Sequence, residues 1–128
     1  MSEIMKIYIP HDFDNWNTYI YKERINRYIA NSVKQQEAKI IKQYTNGLKW
    51  EGSYPVNITI TKYFKNKRQD LDNVRIKGVL DGLVKCGVIK NDNLNCINKI
   101  TLQAEFSEKV GLVVEINTKL KKVDWSDE

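Results

Sequence analysis

The segment from Val56 to Lys62 changes the hydrophobic period of this chain. Val56, Ile58 and Ile60 alternate there with polar residues, and a period of two is typical of a β-strand with one buried face. The stretches on either side, 15–44 and 74–85, instead place apolar residues at helical spacing. A strand between two helices, in 128 residues without repeats or a linker, predicts a small domain in which helices cover a sheet.

Turn residues and the two periods divide the rest of the chain. The predicted elements are a strand at 4–9, a long helix at 15–44 with a kink or a second helix at 31–36, a strand at 56–64, a helix at 74–85 stopped by Gly87, and two strands at 98–106 and 111–117 joined by a turn at 107–109. This β-α-β-α-β-β order predicts an α+β fold. The charged end, 118–128, is expected to fray.

The long helix carries two rows of side chains. The apolar row predicted to face the core comprises Tyr21, Ile25, Tyr28, Ile29, Val33, Ile40 and Tyr44. A second row, on another side, comprises Arg24, Arg27, Asn31 and Lys34. That row is either an ordinary solvated face or a surface that follows a phosphate backbone. In the second helix, the predicted apolar stripe comprises Ile76, Val79, Leu80, Leu83 and Val84.

Positive charge is concentrated in the first half of the chain. Residues 1–69 hold 12 Lys and Arg against 6 Asp and Glu, whereas residues 70–128 hold 9 against 10, and the net charge is +5. This distribution favours a polyanionic partner, nucleic acid before membrane. No apolar run approaches the ~20 residues that span a bilayer, and the N-terminus lacks the pattern of a secretory signal. A cytoplasmic protein is therefore expected.

The chain has too few cysteine and histidine residues for a disulfide framework or a zinc site. Cys86 and Cys96 are the two cysteines, and His11 is the one histidine. Two cysteines do not form a disulfide framework, so a reducing compartment and a role as small, partly buried apolar residues are expected. Three such residues also make a zinc site improbable.

A pair of carboxylates lies inside a run of cations. Asp70 and Asp72 occur within KRQDLDNVRIK, and side chains two residues apart in extended chain point to the same side. The two charges repel unless a cation lies between them, and oxygen ligands suit magnesium or manganese. Asp92, in a polar loop, is a candidate third ligand. For the pair alone, the favoured interpretation is different: Asp72 or Asn73 caps the next helix, and Asp70 is simply solvated.

The residues around the pair extend the motif. Asp70-Leu71-Asp72-Asn73, then Lys77, Asp81 and Leu83, then Asn91-Asp92, resemble the RusA family of Holliday-junction resolvases, phage and prophage endonucleases. The layout of strands and helices is similar over nearly the whole chain. The resemblance implies one RusA-like domain over residues 1–128, a homodimer, and a bacterial or phage-infected cell as the setting.

The resemblance also implies roles for individual residues. Asp70, Asp72 and Asp92 are the implied metal-binding carboxylates, Asn73 supports them, and Lys77 is the implied catalytic lysine. Lys77 follows Asn73 by four residues, where the family usually has three, so Arg75 is the alternative cation. Gln69 also stands where the family often has a basic residue.

The resulting hypothesis is a magnesium-dependent, structure-selective endodeoxyribonuclease that resolves four-way junctions by paired symmetric nicks, with manganese as the other candidate ion and no organic cofactor. The residues expected to attract DNA are Arg24, Arg27, Lys34, Lys65, Lys67 and Arg68, together with Lys62. Two alternatives remain: a binding module that does not cleave, and a metal nuclease acting on flap DNA or RNA.

Overall fold

The computed structural model describes residues 4–13, 15–65 and 74–118, with only the backbone of Trp16. In chain order, its elements are β1 (Ile4–Ile9), α1 (Trp16–Ile25), α2 (Arg27–Thr45), β2 (Val56–Phe64), α3 (Ile76–Lys85), β3 (Ile97–Phe106) and β4 (Gly111–Thr118). The α+β class and the predicted strands are confirmed. The charged end beyond residue 118 lies outside the described residues.

The four described strands form one mixed sheet in the order β1-β4-β2-β3. β4 is antiparallel to both of its neighbours, and β2 is parallel to β3. Parallel neighbours need a crossover connection, and α3 lies within the one that joins β2 to β3. The last two strands follow one another closely in sequence, yet they are not neighbours, because β2 lies between them. Their connection crosses the end of β2, where Ser107 N donates to Phe64 O at 2.8 Å.

The core lies on one face of the sheet. Strand register places a common set of alternate residues there: Ile7, Ile9, Val56, Ile58, Ile60, Leu112, Val114 and Ile116. The helices contribute Ile41, Val79, Leu80 and Leu83 to the same core, which confirms the apolar stripe predicted for α3. Gly87, at φ +79°, follows α3 as predicted and adopts the left-handed conformation that ends many helices.

The predicted long helix is two helices, and the break is at Asn26 instead of 31–36. Asn26 has an extended backbone (φ −161°, ψ 119°), and its side-chain oxygen accepts a hydrogen bond from Tyr28 N at 2.8 Å. This bond satisfies one of the amides left without a partner at the start of α2. Residues 31–36 continue helically inside α2. A short polar cap therefore decides where the helix divides.

The apolar row predicted to face the core is largely exposed, so that prediction was wrong. Val33 and Ile40 are half-buried, whereas the other members, Tyr21, Ile25, Tyr28, Ile29 and Tyr44, are exposed. The residues of α2 that are buried are Ala30, Glu37, Ile41 and Thr45. The change of direction at Asn26 means that no single helical wheel describes residues 15–44.

The two cysteines behave as expected for small apolar side chains. Cys96 is buried, Cys86 is half-buried, and both are free thiols. Burial raises the pKa of Cys86, and the nearby Lys42 and Lys85 oppose this only partly. Within the described residues, no helix has the length and apolar character needed to cross a bilayer.

Candidate active site

The acidic motif lies between two anchored pieces of structure. Residues 66–73 are outside the described residues, so Asp70, Asp72, Asn73, Lys67 and Arg68 are not placed. The described chain stops at the exposed Lys65, one residue after the end of β2, and resumes at Val74 before α3. The structure therefore shows the chain on either side of the motif and the contacts that hold it there.

The first anchor is the end of β2, where a lysine points into the core side of the sheet. The side chain of Lys62 is only 5% exposed, and its Nζ lies 2.7 Å from Oδ1 of Asp12. The same Nζ is 5.8 Å from the centre of the Phe64 ring. A buried ammonium group requires such a partner. Lys62 therefore fixes the loop after β1 to β2, instead of presenting a surface cation to DNA as expected.

A glycine allows three strands to meet beside this anchor. Gly111, the first residue of β4, has φ +153°. A Cβ atom at this position would lie 2.9 Å from the carbonyl oxygen of Ile9 and 3.2 Å from Cα of Pro10. Glycine is thus required for the close approach of β4 to the end of β1. This close packing holds β1 and β4 together beside the end of β2, from which the chain leads into the acidic motif.

The second anchor is Arg75, which immediately precedes α3. Its side chain is only 2% exposed and forms an ion pair with the buried Glu37 of α2. Its guanidinium carbon lies 4.2 Å from the centre of the ring of Tyr19, a buried residue of α1. A Cβ atom at Gly78 would come within 2.7 Å of Nη2 of Arg75. Arg75 thus connects three helices at the point where the motif ends.

The beginning of α3 excludes one interpretation of the motif. The N-cap of α3 is Arg75, which makes no side-chain capping hydrogen bond. The expectation that Asp72 or Asn73 caps this helix is therefore wrong, because both precede the N-cap by two or three residues.

Lys77 and Arg75, the two candidate cations, have opposite environments. Lys77 is 64% exposed, and its Nζ lies 3.8 Å from Oδ2 of the half-exposed Asp81, one helical turn away. A solvent-exposed pair of this kind holds its members weakly. Arg75, in contrast, is enclosed and already paired with Glu37. Of the two, Lys77 is the side chain with access to a substrate.

Asp92 lies at the other end of α3 from Arg75. Helix α3 has ten residues, which corresponds to about 15 Å. Asp92 follows its end in an exposed loop, and this loop is tied to the beginning of β2, since Lys90 N donates to the hydroxyl of Tyr54 at 3.1 Å. Within the described part of the chain, the Asp92 carboxylate has no hydrogen bond or ion pair, and no three potential metal ligands cluster there.

Among the described residues predicted to contact DNA, Lys62 is buried, whereas Arg24, Arg27, Lys34 and Lys65 are exposed. The exposed residues on the helices do not form one row. Arg27 and Lys34 lie on α2, whereas Arg24 lies on α1, across the break at Asn26. Nζ of Lys34 is 5.8 Å from the centre of the Tyr19 ring. These residues therefore form a basic surface over two helices.

Sequence reasoning did not find the partners of Arg75. Glu37 was not singled out, although it is the sole acidic residue in the sequence of α2. A lone carboxylate on an otherwise basic helix is a usable signal, because a buried acid needs a cationic partner. The hydrophobic pattern alone gave no reason to expect Glu37 to be buried.

Comparison with known proteins identifies the family of this chain. A search of curated proteins finds no match. The family model described as Endodeoxyribonuclease RusA matches residues 3–117. The match begins one residue before β1, includes the whole acidic motif and ends one residue before the end of β4. The chain therefore belongs to the RusA family of endodeoxyribonucleases.

Proposed function

We propose that this RusA-family enzyme resolves four-way DNA junctions by paired symmetric nicks, that it depends on magnesium, and that it acts as a homodimer. Family membership makes it a Holliday-junction endodeoxyribonuclease. The observation that supports the proposal is the start of α3 at Arg75, so that neither Asp72 nor Asn73 is the N-cap residue. We assign Asp70 and Asp72 to a metal ion instead.

The candidate ligands have the chemistry of a hard cation site. Asp70, Asp72 and Asp92 offer carboxylate oxygens, with Asn73 as a supporting side chain, and Mg²⁺ and Mn²⁺ prefer such ligands. Asp92 is exposed and has no competing partner among the described residues. Cys96 is not among the candidate ligands, because its side chain belongs to the hydrophobic core. When bound, a divalent cation polarises the scissile phosphate and activates a water molecule.

Lys77 is the proposed catalytic cation. Phosphodiester hydrolysis adds negative charge to a group that is already anionic, and a nearby ammonium group stabilises that charge. Lys77 lies in the first turn of α3, four residues after Asn73. Its exposed pairing with Asp81 is weak enough to be exchanged for a phosphate oxygen. Arg75 is already engaged by Glu37 and acts by holding the end of the motif.

The position of Asp92 supports the homodimer. Asp72 precedes Arg75 by three residues, whereas Asp92 follows the opposite end of α3. A complete set of ligands therefore arises more readily if Asp92 is supplied by a second copy of the chain. A four-way junction also presents two equivalent strands, and a two-fold symmetric dimer presents two equivalent sites.

Cleavage assays with matched substrates test the proposal. Labelled four-way junctions, flaps, duplex DNA and RNA are incubated with the protein in magnesium and in chelator. We expect symmetric nicks in the four-way junction, in magnesium alone. Asp72→Asn should abolish them and leave junction binding intact or tighter, because a repulsive charge is removed. Glu108→Gln, in the exposed turn before β4, is the control and should cut normally.

Other outcomes identify the alternatives. Junction binding without cleavage in either condition would indicate a binding module. Preferential cutting of flaps or RNA would retain the nuclease chemistry and change the substrate. Full activity of Asp72→Asn would refute the assignment of the metal ligands.

A further inference from the structure

Two exposed aromatic rings lie on either side of the break between α1 and α2. Tyr21 is 66% exposed and Tyr28 is 83% exposed. The break at Asn26 lies between them, and the exposed Arg24 and Arg27 flank that break. We call Tyr21, Arg24, Arg27 and Tyr28 the corner surface. Exposed apolar surface rimmed by charged residues can mark a site that contacts a partner.

The fold separates this surface from the clamp around Arg75. Tyr19 is buried and its ring lies against Arg75. Tyr21 comes two residues later, which is about 200° further around a helix, so its ring lies on the opposite side of α1. Arg24 is three residues after Tyr21 and therefore shares its side. The ring of Tyr21 and a guanidinium group are thus presented together.

Charge indicates what kind of partner fits. Over residues 16–45, the helices carry six Lys and Arg, and Glu23 is the one exposed acid, because Glu37 is buried against Arg75. A two-fold dimer through this surface would bring together two copies of the same basic surface, and like charges across an interface are unfavourable. A polyanion, in contrast, would meet complementary charge.

The two tyrosines indicate which part of a nucleic acid the corner surface would contact. Duplex DNA covers the faces of its bases by stacking, so it offers an exposed aromatic ring little to contact. Unpaired bases present a free face to aromatic side chains, and arginines beside them contact the backbone. Resting on the proposed action on branched DNA, we propose that the corner surface stacks on unpaired bases at the branch point, with Arg24 and Arg27 on the adjoining phosphates.

Binding measurements in chelator, which prevents cutting, test this proposal. The probes are a single-stranded thymidine oligonucleotide, a duplex of the same length, and a four-way junction carrying 2-aminopurine beside the branch point. The double variant Tyr21→Ala, Tyr28→Ala removes both rings, and Tyr21→Phe, Tyr28→Phe retains them. Tyr8→Ala removes a half-exposed ring from β1, away from the corner surface, and is the matched control.

We expect the alanine pair to weaken binding to the oligonucleotide and the junction by about fivefold or more, since one stacked base contributes at least roughly 1 kcal/mol. Its duplex affinity should change by less than twofold, and 2-aminopurine should lose the quenching seen with the wild type. The phenylalanine pair and Tyr8→Ala should match the wild type.

Three results would overturn the stacking surface. These are unchanged binding by the alanine pair, an equal loss on duplex and single strand, and a smaller assembly in light scattering, which would make the surface a contact between copies. The proposed function fails in a different way, when the wild type does not cut four-way junctions in magnesium. Tyrosine-dependent binding of single strands is measured independently of that result.

Discussion

Arg75 and Glu37 form a buried ion pair that joins the residue before α3 to the middle of α2. The acidic motif ends two residues before Arg75. The pair therefore holds one end of the motif against the helices, while Lys62 and Asp12 hold the strand at the other end. Two buried cations, each with its own carboxylate, thus lie before and after the acidic motif in the sequence.

Removing one partner of the buried pair should destabilise the fold. Arg75→Ala leaves the Glu37 carboxylate buried without its cation, and such changes typically cost about 3–5 kcal/mol. Urea denaturation followed by circular dichroism measures this loss. The double variant Arg75→Met, Glu37→Leu should recover much of the stability, because no isolated charge remains. Equal stability of Arg75→Ala and wild type would show that the pair contributes little.

Lys77→Ala should keep the fold and lose cleavage. Loss of one group that stabilises transition-state charge typically lowers the rate by on the order of 10²–10³. The helix should persist, since alanine is a good helix former and the pairing with Asp81 that it removes is exposed. Single-turnover cleavage and junction affinity, measured together, separate chemistry from binding.

Because Arg75→Ala also disturbs folding, it is an unsuitable comparison for Lys77→Ala. Lys85→Ala, in the last turn of the same helix, is a better control and should cut normally. If Lys77→Ala cuts as fast as the wild type, the catalytic cation lies elsewhere, and Arg68 becomes the next candidate.

If Asp92 acts in the site of a second copy, two inactive variants should restore each other. In a mixed dimer of Asp72→Asn and Asp92→Asn, one site carries both changes and the other carries neither. Random exchange at equal concentrations would restore roughly a quarter of the wild-type sites. Nicking of labelled junctions after subunit exchange measures the recovery. Sites built within single chains would predict no recovery at all.

Neutralising Arg24, Arg27 and Lys34 together should weaken binding to all DNA. For every phosphate that the variant no longer neutralises, the slope of log affinity against log salt should fall by about 0.9. Titrations from low to moderate salt, on duplex and junction, measure the slope. Neutralising Lys6, Lys99 and Lys109, exposed residues on or beside the sheet, provides a control of equal charge. An unchanged slope in the first variant would make the basic surface an ordinary solvated one.

The packing of α3 on α2 makes a specific demand at Gly82. A Cβ atom there would lie 2.2 Å from Cδ1 of Ile41, which is fully buried. Gly82→Ala should therefore destabilise the fold by about 1–3 kcal/mol through overpacking, despite the higher helix propensity of alanine. Ile41→Val removes the clashing methyl group. Thermal unfolding should show a smaller cost of Gly82→Ala in the Ile41→Val background, and identical costs would exclude this contact as the cause.

The spacing of apolar residues predicted the strands and α3, because the apolar residues of these elements are the buried ones. The apolar alternation at Val56–Ile60 and the stripe at Val79–Leu83 are both buried as predicted. The face of the N-terminal helices was not predictable in this way. Which side of these helices faces the core depends on the break at Asn26. The burial of Glu37 depends on an arginine 38 residues away.

The candidate site was predicted through a motif, and the structure adds contacts between residues distant in sequence. Spacing alone suggested that Asp72 or Asn73 caps α3, whereas the observed N-cap is Arg75. The motif favoured Lys77 as the catalytic cation, but its one-residue offset left Arg75 as an alternative. Only tertiary packing distinguishes them, because Arg75 is enclosed by Glu37 and Tyr19, and Lys77 faces solvent.

The position of β4 between β1 and β2 has a consequence for synthesis of the protein. Neither of those strands gains its central partner until residues 111–118 have been made. At about 5–20 residues per second, roughly 3–10 s separate translation of β2 from that of β4. During this interval, the nascent chain exposes strand edges that are able to pair with other chains. Ribosome-bound chains that stop before Gly111 should therefore depend on chaperones. The nuclease should become active only after β4 has inserted between β1 and β2.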